Sequence, residues 1–189
     1  MQINDLIFFP TLVSYIENVL NKKECEELIN LSKNKKFKKH SSLTGKAKSN
    51  HGIEDFILNE TSKKIKNLII NCLNIYTNKL GISKVKITNS WVNFQNKGSR
   101  LLEHVHPGHK VSGVIYLKVD EKSSKIYFYN PNPFVKFMEK NEDSVYNFDY
   151  HFIKPKIGAL ILFPSWLSHS SHSDINNSNE RIALSFNAN

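Results

Sequence analysis

After Gly81 the apolar residues of this chain stop recurring at the helical interval and begin to alternate, and that switch limits the folds open to it. Before it, Ile65, Leu68, Ile69, Cys72, Leu73, Tyr76 and Leu80 fall at i, i+3, i+4, i+7 and i+8, one face of a helix that Gly81 ends. Beyond it, "VKITNSWVNFQ" (85–95), "LLEHVH" (101–106), "VSGVIYLKV" (111–119), "KIYFYN" (125–130), "IGALILF" (157–163) and "RIALSFN" (181–187) read as short strands divided by turn residues. A second helix is expected earlier, where Asn21 and Glu24 form a capping box and Cys25, Leu28, Ile29 and Ser32 share a face. Residues 33–52 read as a basic loop holding a short strand. Helices first and strands afterwards predict an α+β, mainly β fold: helices packed outside a β-sandwich or small barrel.

A chain of 189 residues suits one core and is short for two domains, so a single domain over 1–189 is expected, with a helical part to residue 84 and a β core from 85. Its apolar runs are strand-sized, too short to span a bilayer. "MQINDLIFFP" shows neither a basic n-region nor a small-residue cleavage site. Cys25 and Cys72 sit on apolar helix faces and read as buried reduced thiols, which points to the cytoplasm.

The net charge of +9 raises nucleic acid as a partner. Only Arg100 and Arg181 among the 26 basic residues are arginine, and the lysines are scattered among asparagines and isoleucines. A built phosphate-binding face is therefore not expected, and "KNKKFKKH" (33–40) reads foremost as a solvated helix end. A homodimer is compatible with the sequence.

Three histidines fall within "EHVHPGH" (103–109). On a strand, Leu102, His104 and His106 project to one face, so two imidazoles at i and i+2 can grip one ion, and Pro107 ends the strand beside them. Alone, such a pair is as readily an ordinary surface feature. "LILFPSWLSHSSHS" then leads a hydrophobic strand through a Pro-Ser-Trp turn to His169, and Arg181 heads the next alternating strand. Arginine offers a planar fork for a carboxylate that lysine cannot copy, although a surface ion pair with Glu180 or Asp174 is the plainer alternative.

The ordered set H-x-H-P with S-G-V-x-Y-L, then F-P-S-W-L-x-H, then R-I-x-x-S-F-N resembles the 2-oxoglutarate- and Fe(II)-dependent dioxygenases. It is most similar to a group of such oxygenases from marine bacteria and their phages, prolyl-hydroxylase-like in character, and the likeness covers roughly residues 91–187. The resemblance implies a double-stranded β-helix of the jelly-roll or cupin-like kind, Fe(II) as cofactor, and 2-oxoglutarate and dioxygen as cosubstrates. It implies His104, His106 and His169 as metal ligands, His106 standing where most of the superfamily has Asp or Glu; His109 and His172 are the nearby substitutes. It implies Arg181 as the partner of the distal carboxylate of 2-oxoglutarate, with Tyr116 as a second donor. Asn93 and Gln95 match an element that touches the cosubstrate's chelating end, and Ser112 and Ser185 share faces with Tyr116 and Arg181. The activity implied is hydroxylation of an unidentified substrate, a peptidyl target slightly ahead of a small molecule, with release of succinate and carbon dioxide.

The segment 131–152 is aromatic for a loop, and Phe134, Phe137, Tyr146 and Tyr150 are expected either to cover the substrate mouth or to pack on the helices. Two other readings stay open. One is a non-catalytic cupin-like metal-binding protein in which Arg181 is structural. The other is a basic nucleic-acid-binding module.

Overall fold

The structure is a computed structural model that describes residue 4 and residues 7–53, 55–142 and 144–189. Its elements in chain order are β1 (Ser14–Ile16), α1 (Lys22–Lys33), β2 (Lys48–Ser49), α2 (Phe56–Glu60), α3 (Lys63–Leu80), β3 (Ile87–Asn96), β4 (Val111–Lys118), β5 (Ile126–Tyr129), a 3-10 turn (Pro133–Phe137), β6 (Tyr150–Ile153), β7 (Leu160–Pro164), β8 (His169–Ser170) and β9 (Glu180–Ala188). They form two antiparallel sheets, one ordered β1-β7-β4-β9-β3-β2 and the other β6-β5-β8. The first 84 residues thus supply two edge strands as well as the helices.

The helices start and stop where their ends find partners. The Asn21 side chain accepts from Glu24 N–H at 3.0 Å, and the Glu24 carboxylate accepts from Asn21 N–H at 2.9 Å, which completes the capping box of α1. Ser62 caps the start of α3, and Gly81 ends it at φ +66°, a left-handed conformation that glycine adopts without strain. The short α2 has no periodic signal in the sequence; the Ser90 hydroxyl, itself bonded to Asp55, accepts the Ile57 N–H at 2.6 Å and fixes it on β3.

Both faces of the large sheet are covered. Cys25, Leu28, Phe56, Ile65, Ile69, Leu73 and Tyr76 of the helices pack on Val92, Ile115, Leu162, Ile182 and Leu184. Between the sheets lies a smaller core of Val114, Tyr116, Phe128, Ile161, Phe163, Leu167 and Ala183. This explains why β7 and residues 114–117 of β4 read as apolar runs without alternation: inner strands buried on both sides have no solvent face to mark with polar residues. Cys25 and Cys72 are free thiols. Among the described residues no helix is long and apolar enough to cross a membrane.

Gly158, in the turn before β7, joins the helical layer to the sheet: its carbonyl accepts Leu20 N–H at 3.1 Å and its N–H reaches Tyr116 O at 2.8 Å. Its φ is +75°, and an added Cβ would collide with the backbone carbonyl of Leu20. Gly158→Ala is therefore expected to lower the unfolding free energy by about 3 kcal/mol or more, measured by urea titration.

One expected strand is absent. Residues 101–106 make only isolated bridges, Leu43 with Leu101 and His104 with His169. Their amides serve three different partners: Leu102 N–H donates to Ser42 O, His104 N–H to His169 O and His106 N–H to Ser165 O. A segment shared among several neighbours cannot keep a ladder, and Pro107 lacks the N–H to extend one.

Candidate active site

The sheets open onto a cavity of about 340 Å³, and the alternation of β3 and β9 supplies one wall. Facing residues pair across the two strands, Gln95 with Arg181, Asn93 with Ala183 and Trp91 with Ser185, and all six line the cavity. The outward set, Val92, Leu184 and Ile182, feeds the helix-facing core instead.

His104, His106 and His169 converge at the mouth of this wall. One ring nitrogen from each lies within 4.8 Å of the others. His104 and His169 face each other across a reciprocal backbone pair, N–H to O at 3.1 Å in both directions. Each is then fixed in tautomer, because a backbone carbonyl only accepts: His104 Nδ1–H donates to Leu102 O at 2.8 Å and His169 Nδ1–H to Leu167 O at 3.0 Å. That leaves both Nε2 lone pairs for a metal. Burial pushes His106 down to about 3, with the neighbouring His104 adding to it, and holds His104 and His169 below their ordinary value as well. The site thus presents neutral imidazoles, the form that binds a divalent ion. Parity predicted His104 and His106 correctly as neighbours but not Leu102, which is 46% exposed.

Arg181 lies at the far end, 5% exposed. Its Nε–H donates to Ser124 O at 3.3 Å and its Nη1–H to Gln95 Oε1, and its guanidinium stands 5.0 Å from the Tyr116 ring. Among the described residues no carboxylate forms an ion pair with it. Burial lowers its proton affinity, with Tyr116 and Asp174 opposing, yet a guanidinium keeps its charge in a protein. Around it the Tyr116 hydroxyl, Gln95 Nε2 and Ser124 Oγ are buried without a hydrogen bond of ordinary geometry, although Tyr116 and Arg181 do interact electrostatically. A buried cation ringed by idle polar atoms is costly unless an anion completes it. These residues fit the distal carboxylate of 2-oxoglutarate, as the three imidazoles fit iron.

The remaining expected residues divide. Asn93 lines the cavity, its Nδ2 3.5 Å from Ser185 Oγ. Ser112 sits behind the wall, its hydroxyl 2.8 Å from both Ser165 Oγ and Asn187 Oδ1. His109 lines the cavity apart from the triad, and His172 lies exposed among Tyr127, Tyr129 and Tyr150. Phe134, Phe137, Tyr146 and Tyr150 are exposed and do not line the cavity. Sequence reasoning missed Asn187, Trp91, His40 and His51, all on the wall. Asn187 was within reach, because it shares the parity of Arg181 and Ser185. His40 and His51 lie in an aperiodic loop and carry no local signal.

The sequence profile of the family described as "Putative 2OG-Fe(II) oxygenase" matches residues 89–187, more than half of the chain. No curated protein matches the sequence. Among solved structures, a prolyl-4-hydroxylase from Pseudomonas putida is similar at TM-score 0.63 and 13% identity, over 94% of this chain and 92% of that one. The viral collagen prolyl hydroxylase of Paramecium Bursaria Chlorella virus-1, in its 2OG complex, aligns at TM-score 0.56 and 16% identity over 93% and 94%. HygX from Streptomyces hygroscopicus, with nickel and 2-oxoglutarate bound, aligns at TM-score 0.62 and 10% identity over 94% and 82%. These likenesses establish the fold as the double-stranded β-helix. With the profile match spanning the H-x-H segment, His169 and Arg181, the chain belongs to the 2OG-Fe(II) oxygenase family.

Proposed function

We propose that this single-domain protein is an Fe(II)- and 2-oxoglutarate-dependent dioxygenase, a hydroxylase, in which His104, His106 and His169 hold the metal and Arg181 anchors the cosubstrate. The observation that carries the assignment is the buried guanidinium, ion-paired to no carboxylate among the described residues, in the same cavity as three neutral imidazoles. When bound, iron supplies the chemistry that couples oxidative decarboxylation of 2-oxoglutarate to oxygen insertion into a C–H bond, releasing succinate and carbon dioxide.

The chain's own groups orient and shield. Arg181 forms a charge-assisted pair with the distal carboxylate, Tyr116 O–H and Gln95 Nε2–H add donors that are otherwise idle, and Asn93 and Ser185 bound the middle of the cosubstrate channel. Ser112 acts through Asn187, holding the amide with its Nδ2–H toward the cavity. Tyr116 and Phe163 exclude water from the deep end. The two free thiols support action in the cytoplasm.

The test is anaerobic addition of 2-oxoglutarate to the Fe(II)-loaded protein, expected to give the visible metal-to-ligand absorption band, followed by succinate on exposure to air. A protein that binds iron yet gives neither band nor succinate is a metal-binding cupin and not an oxygenase.

A further inference from the structure

The cavity wall is lopsided in charge. Among the described residues it carries six of the chain's eight histidines and Arg181, and no Asp or Glu. Arg181 and Gln95 occupy one end. Four positions along β3 from Gln95, about 13 Å in an extended strand, Trp91 begins a file of rings that runs outward. Its ring centroid is 5.8 Å from His106 and 4.5 Å from His51, and His51 is 4.9 Å from His40.

This outer end is built to donate. His40 Nδ1 accepts the Ser42 N–H at 3.2 Å, so the neutral ring carries its proton on Nε2. Exposed Lys38 stands beside both rings, close enough for its charge to disfavour their protonation behind the larger effect of burial. Neither Lys38 nor Lys110, which follows the cavity-lining His109, has an ion-pair partner among the described residues. Asn89 also faces this end, and its Oδ1 is buried without a donor.

The loaded site sharpens the point. A divalent metal on three neutral imidazoles, together with Arg181, places three positive charges in the cavity, and the 2-oxoglutarate dianion cancels two. One remains, in a low-dielectric space whose wall, among the described residues, has no carboxylate to offset it. A cationic substrate would meet that charge unscreened; an anionic one completes the neutralisation.

We propose that the primary substrate is an anion, a molecule bearing a carboxylate or phosphate together with an N–H or O–H, with its acidic group held at the His40–His51–Lys38 end and its donor on Asn89. This rests on the dioxygenase reading of the same site. It sets the substrate class by charge: acidic side chains, acidic peptide termini or phosphorylated small molecules enter, and amines do not.

The test is calorimetric binding to the zinc-substituted protein saturated with 2-oxoglutarate, which does not turn over. N-acetylglycine is expected to bind about ten-fold or more tightly than N-acetylglycinamide, the difference between a charge-assisted and a neutral hydrogen bond, and N-acetylethylenediamine not at all. Methyl phosphate is run beside N-acetylglycine, and the tighter of the two identifies the acidic group. Lys38→Glu, a surface change that leaves the core alone, and the double variant His40→Gln/His51→Gln are each expected to weaken anion binding several-fold. Equal affinity for N-acetylglycine and its amide would overturn the proposal, and so would an anion preference undiminished in both variants, which would mark simple coordination to zinc. Failure of 2-oxoglutarate itself to bind would overturn the oxygenase reading and this inference together.

Discussion

Arg181→Met is expected to weaken 2-oxoglutarate binding by about a hundred-fold or more while leaving the metal-free protein as stable as the parent, or more so. The two halves have one cause. In the free protein the guanidinium is buried, holds two neutral acceptors, Ser124 O and Gln95 Oε1, and forms no ion pair with a carboxylate among the described residues. An uncompensated buried charge costs several kcal/mol, whereas removing one partner of a formed buried pair loses about 3–5 kcal/mol. Methionine fills similar volume without the charge, so folding loses little while binding loses the pair. Thermal melts with and without 2-oxoglutarate read both: the ligand raises the melting temperature of the parent by mass action and fails to do so in the variant. Arg181→Lys keeps the charge but not the planar fork and should fall between them. A variant that melts well below the parent when metal-free, yet binds 2-oxoglutarate normally, would make Arg181 a structural residue.

Much of this protein is legible in its sequence because its signals are local. The period change at Gly81 separates α3 from the strands, the Asn21–Glu24 pair starts α1, and the alternation of "RIALSFN" puts Arg181, Ala183 and Ser185 on the cavity face of β9. What escapes is set by tertiary contacts. Residues 101–106 alternate like a strand, yet their amides go to Ser42, Ser165 and His169, so local pattern and actual pairing part company. The α2 helix exists because Ser90 and Asp55 hold its first turn. His40 and His51 reach the cavity only because the aperiodic loop between α1 and α2 folds back over Trp91. The identity of the H-x-H pair as a site is likewise non-local: His104 meets His169 through a bridge between segments 65 residues apart, and Arg181 becomes informative only once its burial and lack of a counter-charge are seen.

The second large effect is expected at the histidines, and its ranking tests which of them are ligands. His169→Ala or His104→Ala should each lower Fe(II) affinity by about a hundred-fold or more, since each protein ligand contributes a few kcal/mol of a typical site's binding energy. Both rings are oriented in advance by Nδ1–H bonds to backbone carbonyls, so their lone pairs are placed before the ion arrives. His106 makes no such ring hydrogen bond among the described residues; it is positioned by its backbone bond to Ser165 and by contact with Trp91, His104 and His169. Its removal should therefore cost less than that of the other two, yet still at least about ten-fold if it ligates. His106→Asp provides the sharper reading, because a carboxylate in the same place both ligates and cancels the leftover positive charge. Iron affinity should recover to at least the parent's value, while the preference for N-acetylglycine over its amide shrinks toward none. A His106→Ala protein that holds iron as tightly as the parent would show that two imidazoles suffice and that His106 faces the metal without binding it. In that case the charge count is unchanged, because the absent ligand was neutral, and the anion preference would persist while the effect of the Asp variant on iron affinity vanished. Metal titration and probe binding on the parent and the two His106 variants therefore separate the role of His106 as a ligand from its role in setting the charge of the cavity.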